Sequence, residues 1–301
     1  MSWQAQAFQY GLQFRKWLNR HHSVEEFIAD QRKLARQVAP FCKVPKHCDH
    51  EAISIDNIGC EWMIHRSARD SARVILYFHG GAYVMGGVKT HFDLAAQLSE
   101  TTNSKVLLVD YRLVPEHPFP AALNDAMDCY RYLLAQKYQA KNIVLAGDSA
   151  GGNLTLACLL KIREEGLPMA GAGVCFSPWT DMTHSGESHR ANQDSDTMIT
   201  MAIVPQVAKL YAGKESLTHP LISPLFADLH GLPPLFINAS SSELLRDDAV
   251  RLAAHAQQQG VTVELSIKDN MPHAYPGMCR VLPEARETIA DVAKFLTSIQ
   301  S

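Results

Sequence analysis

Ile143-Val144-Leu145-Ala146-Gly147-Asp148-Ser149-Ala150-Gly151-Gly152-Asn153 decides how the rest of the chain is read. A short apolar run ends at Ala146, and an all-round apolar helical stretch, Gly151 to Glu164, follows almost at once. Between them stands Gly147-Asp148-Ser149-Ala150-Gly151. At average residue usage a GxSxG arises by chance about 0.1 times in a chain of this length. Placed between a strand and a helix, such a turn is strained, and its serine hydroxyl stands exposed above the end of a sheet. Glycines on both sides let the turn close without side-chain clashes. The helix directs free amides and the positive end of its dipole at Ser149. Taken alone, the motif also fits a glycine-rich phosphate loop or a plain tight turn.

On both sides of this turn, apolar runs alternate with helical periodicity. Val74 to Phe78 leads into a glycine-rich turn and a helix near Thr90 to Glu100. Val106 to Val109 leads into a proline-rich loop and a helix over Ala121 to Gln136. Downstream come Gly171 to Phe176, Leu235 to Ala239, a helix near Asp247 to Gln259, Val261 to Ile267, and a helix from Pro283 to Ile299. Ala52 to Ile55 and Cys60 to Ile64 read as a hairpin around Asp56-Asn57-Ile58-Gly59. Continuous apolar strands alternating with helices predict an α/β fold, a mostly parallel eight-stranded sheet covered on both faces.

Two stretches stand outside this alternation. Trp3, Ala7, Tyr10, Phe14 and Trp17 recur at helical spacing, and Val24 to Val38 reads as a second amphipathic helix that Pro40 stops. Asp181 to Leu232 holds no strand-like run and one expected helix, Met198 to Tyr211. An excursion of that length is usually a lid or a cap.

Composition narrows the classes. The 301 residues carry 28 Lys and Arg against 31 Asp and Glu, a formal charge of −3, so no basic field gathers nucleic acid. No apolar run approaches the roughly 20 residues of a membrane span, and Met1 to Arg20 lacks the features of a signal peptide. Seven scattered cysteines without a CxxC pair predict reduced, buried thiols and a cytoplasmic setting. Neither the 14 histidines nor any HExxH-type spacing predicts a metal, and no cofactor is implied.

A serine nucleophile needs donors for the oxyanion it creates. His79-Gly80-Gly81-Ala82 follows the strand Val74 to Phe78, and its amides (Gly80, Gly81, Ala82) with that of Ala150 are the candidate oxyanion hole. His79 reads as a structural residue that holds this loop. The base should be a histidine after the serine, at the same edge of the sheet. His273 fits, between Val261–Ile267 and the final helix. His184, His189, His219 and His230 read as solvated or capping residues of the excursion. Glu243 is the first carboxylate past Leu235–Ala239 and is chosen to orient the imidazole, with Asp247 as its rival. Tyr83 and the stripe Met198, Met201, Val204 and Tyr211 are candidate pocket residues, although cap packing explains the stripe equally well.

Together these blocks resemble the hormone-sensitive-lipase-like family of α/β-hydrolases, the bacterial carboxylesterases. The resemblance rests on His79–Ala82, Asp110-Tyr111-Arg112-Leu113-Val114-Pro115-Glu116-His117-Pro118-Phe119-Pro120-Ala121-Ala122, Gly147–Asn153 and Ser177-Pro178-Trp179-Thr180-Asp181. It also covers Glu243–Asp248 and Met271–His273, and so runs from about Val74 to the C-terminus. It implies the α/β-hydrolase fold with a helical cap, a Ser149–Glu243–His273 triad, and cofactor-free hydrolysis of short- to medium-chain esters. Residues 1–48 and 183–217 would supply the cap, and 49–182 with 218–301 the catalytic domain. Two positions depart from the family pattern: Ala82 replaces the third glycine of HGGG, and the acid is Glu rather than the commoner Asp. An amidase or deacetylase on the same fold and a non-catalytic ligand-binding homologue are the alternatives. The partner expected is a small-molecule ester, with no nucleic acid or membrane. Val261 to Ile267 is expected to form an open edge suited to pairing with a second copy.

Overall fold

A computed structural model describes residues 1–18, 23–38 and 42–299 of the chain. One sheet holds β1 (Cys48–Ile55), β2 (Ile58–His65), β3 (Val74–Phe78), β4 (Lys105–Asp110), β5 (Ile143–Asp148), β6 (Ala172–Phe176), β7 (Leu235–Ser240) and β8 (Val263–Lys268). Their order is β1-β2-β4-β3-β5-β6-β7-β8. β1, β2 and β4 pair antiparallel, and from β4 onward every pairing is parallel. The hairpin closes through Asp56 and Asn57, both at positive φ, which matches the twist of the two strands.

The helices are α1 (Trp3–Leu18), α2 (Val24–Val38), α3 (Phe92–Thr102), α4 (Ala121–Ala135), α5 (Ala150–Glu164), α6 (Ser188–Ala191), α7 (Val204–Ala212), α8 (Arg246–Gln258) and α9 (Pro283–Ser298). The strand residues alternate between two cores, as a period of two requires. Val74, Leu76 and Phe78 of β3 join the cluster under α4, α5 and α8, while Ile75 and Tyr77 join the one under α3 and α9. Because both faces are covered, β3 and β5 are buried at every position, and β3 and Ile143–Ala146 of β5 read as unbroken apolar runs. Cys60, Cys129, Cys158, Cys175 and Cys279 are buried. None of the helices among the described residues is long and apolar enough to cross a membrane.

Three expectations are corrected. On α1, the face Trp3, Ala7 and Tyr10 points outward, with Trp3 74% and Tyr10 78% exposed; Phe14 and Trp17 have side chains outside the described residues. The helix docks through another face instead: Ala5 is fully buried, Phe8 packs against the same cluster, Ser2 N and Oγ donate to Glu284, and Gln9 Nε2 donates to the Asn270 carbonyl at 2.6 Å. Pro40, expected to stop α2, lies outside the described residues. The helix expected over Met198 to Tyr211 begins only at Val204. Asp196 Oδ1 takes the amides of Met198 and Ile199 into a local turn, and Pro205, which has no N–H to give, fits only the first turn of a helix. Finally, His189 is neither solvated nor a cap: it is buried, with Nε2 2.7 Å from Asp248 Oδ1.

Candidate active site

The C-terminal ends of β3, β5, β7 and β8 open onto one cavity of about 400 Å³. Ligands of open α/β sheets bind at this edge. Ser149 follows β5 at φ 55° and ψ −117°, a conformation that costs a non-glycine residue about 1–3 kcal/mol. Its neighbours hold it there. Ser149 N donates to the Phe176 carbonyl at 2.8 Å, and its own carbonyl accepts from Trp179 N and Asn153 N at 3.1 Å. A Cβ on Gly151 would collide with the Phe78 carbonyl oxygen, and one on Gly147 with that of Gly151, so both flanking positions exclude larger residues.

Glu243 sits in the loop after β7, buried, and His273 in the loop after β8. His273 Nδ1 donates to Glu243 Oε2 at 2.6 Å, which fixes the tautomer and turns Nε2 to the other side of the ring. The second carboxylate oxygen accepts from Ser177 Oγ at 2.9 Å and Ser240 N at 2.7 Å. Ser177 Oγ also accepts from Ala274 N, tying the acid to the base loop. Burial alone would lower the His273 pKa. The hydrogen bond and charge of Glu243 outweigh it, with help from Asp196 and Asp148, and the pKa stands above the ordinary histidine value.

The rival acid, Asp247, faces elsewhere. Its carboxylate accepts from Ser188 N and pairs with Arg246, at the start of α8. The excursion anchors the acid loop instead: Asn192 Nδ2 donates to the carbonyls of Ser241 and Glu243, and Asp196 Oδ2 accepts from Leu244 N.

In the glycine loop, the amides of Gly81, Ala82 and Ala150 have no acceptor among the described residues, as an oxyanion site requires. Gly80 differs from its expected role. It lines the cavity, but its amide donates to Asp148 Oδ1 at 3.0 Å and is spent on the protein. Ala82 takes φ 55°, the left-handed region its family counterpart glycine enters freely. His79 holds this loop: it is buried, its Nδ1 donates to the Gly80 carbonyl at 2.7 Å, and its ring stacks on Tyr111 at 4.3 Å. Burial, and then the neighbouring His91, push its pKa down to about 4, so it is neutral.

The cavity walls come from α2 and the excursion. Phe27, Gln31, Leu34 and Ala35 line one side, and Met198, Ile199, Ile203, Val204 and Val207 the other. Arg32 fastens α2 to the glycine loop: Nε donates to the Val84 carbonyl and Nη2 to the Val114 carbonyl, both at 2.8 Å, and the guanidinium forks onto Glu116. Of the expected pocket residues, Met198 and Val204 line the cavity, while Tyr83, Met201 and Tyr211 do not. Tyr83 turns inward because its hydroxyl donates to Asn153 Oδ1 at 2.7 Å, and Tyr211 stacks on it at 3.7 Å. Met201 sits in the turn before α7. Sequence reasoning missed Ser177, Asp196 and His91, which lines the cavity, and named no pocket residue on α2. Only Ser177 carried a signal, as the first residue of the Ser177–Asp181 block.

With its chemistry gathered at the strand ends beneath a cap, the molecule is an α/β hydrolase. A family model described as the alpha/beta hydrolase fold matches residues 75–277. An acetyl-hydrolase of Streptomyces hygroscopicus is 38% identical over 82% of each chain, and an esterase of Acinetobacter venetianus 35% identical over 78% of each. The crystal structure of an esterase from the bacterial hormone-sensitive lipase family superposes with a TM-score of 0.92 at 36% identity, covering 100% of this chain and 99% of that one. That of EstE5, soaked with p-nitrophenyl butyrate, gives 0.92 at 34% identity over 99% of each. The chain belongs to the α/β-hydrolase family, in its bacterial hormone-sensitive-lipase group, and is a serine-type esterase.

Proposed function

We propose that the protein hydrolyses short- to medium-chain carboxylic esters through a Ser149–His273–Glu243 triad and a covalent acyl-enzyme. The 2.6 Å contact between His273 and Glu243, beside the strained Ser149 in one cavity, carries the reading. His273 Nε2 takes the Ser149 proton as Oγ bonds to the ester carbonyl carbon, and the amides of Gly81, Ala82 and Ala150 hold the resulting oxyanion. The carbon–oxygen bond to the alcohol then breaks, and the alcohol leaves with the proton from His273. Water, deprotonated by the same nitrogen, attacks the acyl-serine and releases the acid and free Ser149. No cofactor enters these steps.

A walled cavity of about 400 Å³, mostly apolar, suits an acyl chain of a few carbons, and the relative named acetyl-hydrolase is in keeping with this. The test is hydrolysis of p-nitrophenyl acetate, butyrate, octanoate and palmitate. Rates should peak at butyrate to octanoate, with palmitate at least about tenfold slower. Palmitate as the best substrate would overturn the chain-length assignment.

The base must be neutral to accept a proton. Because the His273 pKa is raised, kcat/KM should fall as pH drops through a midpoint above the ordinary value of about 6.5. A pH–rate profile with its acid limb below pH 6 would contradict a Glu243-paired base.

A further inference from the structure

We propose that His91 is a positioning residue for the oxyanion hole, acting through Asp148. The proposal rests on the assignment of Ser149 as nucleophile and of the Gly81, Ala82 and Ala150 amides as oxyanion donors.

Asp148 is the residue before Ser149, and its carboxylate lies buried between the nucleophile turn and the glycine loop. One oxygen, Oδ1, accepts the Tyr77 hydroxyl at 2.7 Å and the Gly80 amide at 3.0 Å. The other occupies the space that a side chain on Gly80 would fill. The carboxylate is therefore the joint between Ser149, just after β5, and the loop that presents Gly81 and Ala82. Joining the two turns alone would serve catalysis poorly, because a bare carboxylate there opposes the negative charge that builds on the oxyanion.

His91 answers this. It follows the tight turn of Gly86 and Gly87, lines the cavity, and places Nε2 3.1 Å from Asp148 Oδ1. Its other nitrogen, Nδ1, lies 2.9 Å from Thr90 Oγ1, whose own hydrogen goes to the Gly87 carbonyl at 2.7 Å, and 3.5 Å from that carbonyl. Both ring nitrogens thus lie within reach of oxygen acceptors, an arrangement that suits an imidazolium. Burial alone would lower the His91 pKa, but the charge and hydrogen bond of Asp148 raise it above the ordinary value. The neighbouring His79, 5.7 Å away centroid to centroid, is neutral and does not compete for the carboxylate. His91 therefore fixes the carboxylate against Gly80 and offsets its charge, without bonding to the reacting atoms.

Misplacing catalytic groups by about 1 Å can cost about 100-fold in rate. His91→Ala, assayed on p-nitrophenyl butyrate, should lower kcat about 10- to 100-fold while KM stays within about threefold. Affinity for a butyl trifluoromethyl ketone, which forms an oxyanion on Ser149, should fall by the same factor. In a double-mutant cycle, Asp148→Asn added to His91→Ala should cost no more than about a further threefold, since one pathway carries both effects. Should His91→Ala not fold, His91→Asn takes its place in the same cycle. A kcat within twofold of wild type, a loss confined to KM, or additive losses in the cycle would overturn the proposal. Ser149→Ala is run alongside. If it stays active, the reading of the site fails; if it is dead while the His91 variants keep kcat, only the role of His91 fails.

Discussion

Replacing Ser149 with alanine is expected to lower kcat on p-nitrophenyl butyrate by at least about 10⁴-fold while the protein stays folded. The loss follows from chemistry rather than from collapse. Removing Oγ leaves no atom to form the acyl-enzyme, so any residual rate comes from water activated by His273 within an intact oxyanion site. The fold should not notice, because Ser149 is held by its backbone: its N–H and carbonyl bind Phe176, Trp179 and Asn153, and none of these bonds uses the hydroxyl. Alanine has to adopt the same positive φ as serine, with the same strain. Circular dichroism and the thermal midpoint should match wild type, and covalent labelling by an organophosphonate should vanish. Activity within tenfold of wild type in a folded Ser149→Ala protein would exclude this serine as nucleophile.

The second large effect is expected at Glu243. Glu243→Gln should lower kcat by about 10³- to 10⁴-fold with little change in KM, as when the acid of a Ser-His-Asp triad becomes an amide. The amide keeps the shape but not the charge. It can turn its NH₂ toward the imidazole, which then carries its proton on Nε2 and can no longer accept one from Ser149. The loss of charge also removes what raises the His273 pKa, so the residual activity should titrate at lower pH than wild type. The control is Asp247→Asn, expected to stay within about threefold of wild type, because that carboxylate is bound to Ser188 and Arg246 and does not reach His273. The reverse ranking of the two variants would move the acid to Asp247.

These variants also mark which parts of the molecule could be read without coordinates. The β3, β5 and β7 segments are visible in the sequence because strands buried on both faces are mostly apolar, with Asp148, Asn238 and Ser240 only toward their C-terminal ends, and the turns between them break the pattern. Ser149, Glu243 and His273 could be chosen by order along the chain, since each follows a strand whose end lies at the same edge. Local periodicity failed on α1 and in the excursion. Aromatics at helical spacing say that a face exists, not that anything covers it, and Ala5 with Phe8 and its polar neighbours won the docking surface. Around Met198, a buried carboxylate from Asp196 and the position of Pro205 overrode an apolar stripe that looked continuous.

The order of residues sets the alternation of elements, the strand–turn–helix around Ser149, and which residues can act as nucleophile, base and acid. These are local properties, written in side-chain period and in the glycines that a tight turn demands. Tertiary structure alone decided which carboxylate reaches the imidazole, that the Gly80 amide is taken by Asp148, and that Tyr83 faces Asn153 rather than the cavity. It also brought His91 beside Asp148, and Arg32 of α2 onto the Val84 and Val114 carbonyls. Each of these depends on where a polar group finds its partner across tens of residues of chain. Period and motif describe neighbours in sequence, whereas a buried donor is satisfied by whichever acceptor the packing sets within about 3 Å.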